Sequence, residues 1–211
     1  MNKIIKKIIS SIFSKNILLI IRQFIEKNSY FKININSKII NFFCPNELTK
    51  WRVKTLYEKE PETLDWIDNF EQNKQIIFWD IGANIGLYSI YASVKFKNIN
   101  VISFEPSSSN LRILSRNISI NNLENKIKIC QFPLSNLTNH FSMMRETFFI
   151  EGGAMNTFGN NIDFEGKKFE SKMNYSILGT NIKSLLDQKI LDLPNYIKID
   201  VDGTEHLILE G

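Results

Sequence analysis

Residues 78–90 read FWDIGANIGLYSI. A short apolar run ends at Asp80, two glycines frame Ala83-Asn84-Ile85, and Leu87, Ile90, Tyr91 and Val94 then recur at i, i+3, i+4 and i+7. A strand buried on both faces, a glycine turn and a helix are what that pattern predicts. NVISF supplies a second such run, Leu111, Leu114 and Ile118 mark a second helix, and KIKICQF gives a third strand. After residues 137–181, which show no sustained helical spacing and read as a hairpin-like insertion, a helix resumes near Ile182 to Gln188. NYIKID then forms a fourth strand and Thr204 to Leu209 opens another helix. Strands alternating with helices imply right-handed β-α-β units and an α/β fold on a parallel sheet.

The turn resembles a nucleotide site in outline, because a helix N-terminus after a strand aims backbone N–H groups at a ligand. Its details disfavour a phosphate. The dinucleotide pattern G-x-G-x-x-G started at Gly82 needs glycine again where Asn84 and Leu87 stand, and Asp80 would repel a pyrophosphate. A phosphate-free ligand with a positive end suits these residues, and S-adenosylmethionine carries both a sulfonium and an ammonium group. In this reading Asp80 faces the cationic methionine portion, directly or through water, Gly82 lets the backbone pass close, and Gly86 lets the helix start tightly. Glu105 ends the next strand in VISFEP, where a carboxylate can accept both ribose hydroxyls. The competing readings are a non-catalytic binding module and a nicotinamide-dependent oxidoreductase, the latter wanting the two missing glycines.

Three segments together resemble the FkbM family of S-adenosylmethionine-dependent methyltransferases: FWDIGANIGLYSIYA, VISFEPSSSNLRILSRNISINN and IKIDVDGTEHLILEG. The resemblance covers roughly residues 50–211. It implies a Rossmann-like class I methyltransferase sheet with helices on both faces and the cofactor across the C-terminal ends of the strands. Cofactor contacts then fall on Asp80, Gly82, Asn84 and Glu105, and Ser135 sits where such folds approach the adenine. This chain has Asp202 where the family often has Glu. A class I sheet continues past the fourth strand, and no sequence remains here to continue it. The expectation is therefore a truncated sheet ordered 3-2-1-4, with residues 1–45 as a basic helical arm and short hairpin and 46–211 as the methyltransferase domain.

Methyl transfer is an in-line displacement, so catalysis is mostly positioning and desolvation. A hydroxyl acceptor must also lose its proton. Asp200, at the tip of the fourth strand, is the first candidate for that base or for anchoring the acceptor. His206 is the second, and His140 in the insertion is a further candidate for acceptor binding. Asp200, Asp202 and Glu205 carry oxygen ligands that suit magnesium or calcium, but their spacing reads as a turn and helix start, so no metal is expected. EGGAMNTFGNN, with its paired glycines and Phe158, suits a flap over a small-molecule or glycan-type acceptor, or equally a surface hairpin with flexible ends.

Charge bounds the partners. The 211 residues carry a net +4. Lys3, Lys6, Lys7, Lys15, Arg22 and Lys27 stand against Glu26 alone in the first 30, a net +5 that leaves the other 181 near −1. The basic character belongs to the arm and gives no case for nucleic acid. Ile4, Ile5, Ile8, Ile9 and Ile12 follow helical spacing beside those lysines. Residues 1–25 thus suit either a peripheral contact with an anionic membrane or packing on protein. Two cysteines without metal-like spacing make a reducing, cytoplasmic setting the expectation.

Overall fold

The computed structural model describes residues 15–148, 150–159, 167–168, 170–201 and 203–211. The isoleucines of residues 1–14 and Asp202 lie outside these. Helix α1 (Lys15–Asn28) leads into a hairpin of β1 (Tyr30–Ile35) and β2 (Lys38–Phe43). Asn36 and Ser37 both adopt positive φ, 49° and 62°, the two-residue turn whose twist matches that of the strands. Residues 46–73 read as helical with a helix start at Pro61, and the chain forms two helices there, α2 (Glu47–Lys54) and α3 (Pro61–Asp68). Pro61 has no N–H to continue a helix and occupies the first position of a new one. Asn46 and Thr49 cap α2 reciprocally.

The main sheet follows. Strands β3 (Ile76–Ile81), β4 (Ile99–Phe104), β5 (Ile127–Cys130) and β9 (Tyr196–Ile199) are parallel and ordered β5-β4-β3-β9, the expected 3-2-1-4. Helices α4 (Leu87–Lys95) and α5 (Ser108–Ile120) make the first two crossovers, and α6 (Ile182–Asp187) and α7 (Glu205–Glu210) flank β9. Alternation along the strands separates two cores. Phe78 and Val101 face one with Ile90, Leu114 and the hairpin's Phe42 and Phe43. Trp79, Ile81, Ile102 and Phe104 face the other with Leu185 and Ile208. Helices therefore cover both faces, and the hairpin shares the domain's core.

Between β5 and α6 the insertion forms its own antiparallel sheet of β7 (Thr157–Phe158), β6 (His140–Glu146) and β8 (Met173–Gly179), in that order. It stands beside the C-terminal ends of the main strands, where Leu134 bridges Thr180.

Candidate functional site

The glycine turn is held by the neighbouring strands. The N–H groups of Gly82 and Ala83 both donate to Phe104 O, at 3.0 and 2.9 Å, and Asp200 N–H donates to Ile81 O at 3.0 Å. Gly82 has φ +81°, and a Cβ built on it would lie 1.9 Å from Asp200 O. Only glycine lets the tails of β3 and β9 run so close. Asn84 also has positive φ, 51°, which turns its N–H onto Glu105 Oε2 at 2.8 Å.

Glu105 is 5% exposed. Its other oxygen, Oε1, accepts the N–H of Ser107 at 2.8 Å. Burial pushes the carboxyl up to about 7, against the opposing pull of the Ser107 and Asn84 N–H groups. Each carboxylate oxygen keeps acceptor capacity beyond the one N–H it already takes.

These groups open onto one cleft with a cavity volume of about 160 Å³. Gly82, Asn84, Glu105 and Asp200 all line it. Phe104, Phe132, Leu134 and Ile208 give it an apolar floor, and Arg52 and Lys59 reach it from the region of α2.

The remaining wall comes from the insertion, through Met144, Gly153, Thr157 and Phe158. The segment around Gly153 is fastened down. Gly153 O accepts from Asn84 Nδ2 at 2.8 Å and from Asn110 Nδ2 at 3.1 Å. Gly152 N–H donates to Asn110 Oδ1 at 2.9 Å, and Gly152 O accepts from Arg52 Nε at 2.7 Å. Arg112 pairs with Glu151 at 3.1 Å. EGGA thus lies as a strap over the turn. Among the described residues, Asn84 Oδ1 and Thr157 Oγ1 are buried there without a hydrogen-bond partner.

Four other expected residues sit elsewhere. Asp80 is fully buried beneath the turn and does not line the cleft. It accepts from Ser89 N–H at 3.1 Å and Ser89 Oγ at 2.6 Å. Its nearby cation is Lys198, paired with it in register and with Nζ 3.6 Å from Oδ1. Gly86 caps α4 at φ +87°, and a Cβ there would meet Leu114 Cδ1 at 2.5 Å, so it serves the packing of α4 on α5. Ser135 is buried where the insertion departs, its N–H on Thr180 O and its Oγ accepting from Leu137 N–H. His206 is exposed on α7, which turns Ile208 to the cleft instead. His206 is thus set apart from the residues that line the cleft.

Glu205 accepts from Val201 and Gly203 N–H at 3.4 and 3.2 Å, consistent with a turn and helix start. His140 opens β6 with its ring 5.3 Å from that of Phe158. Sequence reasoning missed Asn110, Arg52 and Thr157 as wall residues. The paired glycines at 152 and 153 were the one signal pointing to the strap.

Comparison with known proteins gives the family. The family model of the methyltransferase FkbM domain matches residues 80–211. Methyltransferase sdnD of Sordaria araneosa is 38% identical over 69 residues, 33% of this chain and 26% of that protein, so the match spans about a quarter of the relative's length. Among solved structures, the C-terminal domain of precorrin-6Y C5,15-methyltransferase from Rhodobacter capsulatus is similar at TM-score 0.37 and 17% identity, covering 75% of this chain and 52% of that one. A SAM-dependent methyltransferase from Agrobacterium tumefaciens is similar at TM-score 0.39 and 12% identity, covering 50% of this chain and 33% of that one.

Proposed function

The chain belongs to the FkbM methyltransferase family, and from that premise we propose that it transfers a methyl group from S-adenosylmethionine to a hydroxyl of a small-molecule or glycan-type acceptor. The observation that carries this reading is Glu105, buried at the end of β4 and joined by one hydrogen bond to the Asn84 turn of β3.

The residues fit the cofactor. Glu105 has acceptor capacity for two ribose hydroxyls, and Phe132 and Leu134 offer an apolar bed for a purine. Gly82 and Asn84 stand at the methionine end. When bound, the cofactor supplies an electrophilic methyl group on a sulfonium. The chain's own work is to orient the acceptor, keep water out with the strap and the apolar floor, and take up the acceptor's proton. Asp200 is the residue for that proton. It lines the cleft at the tip of β9, with Lys198 Nζ 3.4 Å from its Oδ2.

The test is thermal unfolding with and without S-adenosylhomocysteine. A ligand at about 100 times its Kd adds about 2.7 kcal/mol if it binds only the folded state. A shift in the wild type that is lost in Glu105→Ala supports the cofactor site, and no shift in the wild type removes it. With an acceptor in hand, Asp200→Asn should abolish transfer while leaving the shift in place.

A further inference from the structure

Helix α1 is unlike the rest of the molecule. Its sequence, KNILLIIRQFIEKN, places Ile17, Ile20, Ile21, Phe24 and Ile25 within an arc of about 140° at helical spacing. All five are exposed, Phe24 to 69% and Ile20 to 64%. Arg22 and Lys27 border the arc on its two sides. The helix is fastened through its polar side: Glu26 accepts from Arg112 Nη2 and from Arg116 Nη1, the latter at 3.1 Å. Ile21 and Ile25 also edge a shallow groove with Pro45 and Arg112.

A monomer in water rarely presents a contiguous apolar face of this kind without a use for it. We infer that α1 docks on an anionic lipid surface, lying in the interface with Ile20 and Phe24 among the acyl chains and Arg22 and Lys27 at the headgroups. Three observations choose that occupant. Cations flank the apolar arc, the arrangement of interfacial helices. The helix's one acid, Glu26, is already neutralised by two arginines of α5 and so does not oppose an anionic surface. The first 30 residues hold a net +5 while the remainder is near −1, so an anionic surface attracts this end and leaves the rest of the domain in water. Among the described residues, no helix is long and apolar enough to cross a membrane.

The inference is independent of the methyl-transfer reading, and its test uses the purified 211-residue chain. Sedimentation is compared with vesicles of phosphatidylcholine alone and with vesicles containing about one-third phosphatidylserine, where binding should be about tenfold stronger or more. Ile20→Glu with Phe24→Glu should release the protein from both vesicle types while keeping the unfolding midpoint. Arg22→Gln with Lys27→Gln should weaken the preference for phosphatidylserine, leaving the part that Lys3, Lys6, Lys7 and Lys15 supply. The inference is overturned if the wild type ignores anionic vesicles, or if the glutamate pair binds them as well as the wild type does. A lipid-free dimer that the glutamate pair dissociates also overturns it, because a second copy then covers the face.

Discussion

The backbone N–H of Asn84 donates to Glu105 Oε2 across 2.8 Å, so the turn after β3 and the carboxylate after β4 form one rigid unit. Whatever occupies the cleft meets both. Replacing Glu105 by Ala should weaken S-adenosylhomocysteine binding by about 1–3 kcal/mol through lost charge-assisted bonds. Isothermal titration reads this directly, and unchanged affinity would remove Glu105 from the ribose role.

The same carboxyl makes two properties depend on pH in opposite senses. Burial raises it from 4.5 to about 7 in the folded chain. Its contribution to stability is therefore complete below about pH 4.5 and is lost as pH rises through about 7, an effect of up to about 3 kcal/mol. Ribose hydroxyls prefer the ionised acceptor, so affinity for S-adenosylhomocysteine should rise by up to about tenfold between about pH 6 and pH 8. Denaturation and titration series on Glu105→Gln should show both slopes flattened.

Asp80 and Lys198 form a buried pair on neighbouring strands, the carboxylate fully covered and the lysine side chain 10% exposed. Lys198→Met leaves that carboxylate without its cation and should cost about 3 kcal/mol or more in urea denaturation. The double variant Asp80→Asn with Lys198→Met should recover part of this loss. Additive losses would mean that the two charges do not interact.

The turn's two glycines should differ in tolerance. Gly82→Ala drives a methyl group into the Asp200 carbonyl, which is backbone, whereas Gly86→Ala meets the movable end of Leu114. Both face the cost of left-handed φ, about 1–2 kcal/mol. Gly82→Ala should exceed Gly86→Ala by at least about 1 kcal/mol in denaturation, and the reverse order would contradict the β3–β9 contact.

The strap is pinned by Asn110 through both Gly152 and Gly153. Asn110→Ala should speed hydrogen exchange at Gly152 by about tenfold, matching about 1–1.5 kcal/mol of lost hydrogen bonding. Exchange unchanged from the wild type would mean that Arg52 and Asn84 suffice to hold the segment.

Much of this was readable in advance. Phe78, Trp79 and Ile81, against Val101, Ile102 and Phe104, betray strands packed on both faces, and the crossover helices fix their parallel order. Gly82, Asn84, Glu105 and Asp200 follow because the turn and strand tips are local features. What escaped depends on distant contacts. Gly153 reaches Asn84 across 69 residues and Asn110 across 43, and no periodicity marks such a meeting. Lys198 in a strand reads as a solvated charge until the register puts it beside Asp80. Asp80 itself reads as a ligand residue because its burial is set by α4, whose Ser89 takes its second oxygen.

The position of β9 has a consequence for how the cleft comes into being. Pairing β3 with β4 closes a loop of about twenty residues, whereas bringing β9 beside β3 spans 118, as in the bond from Ile77 to Asn195. By chain entropy alone the longer closure costs about 1.4 kcal/mol more, and such distant pairings slow folding. Asp200 and the contact that locks Gly82 arrive only with that closure. Capture of S-adenosylhomocysteine during refolding would therefore time the docking of the last strand.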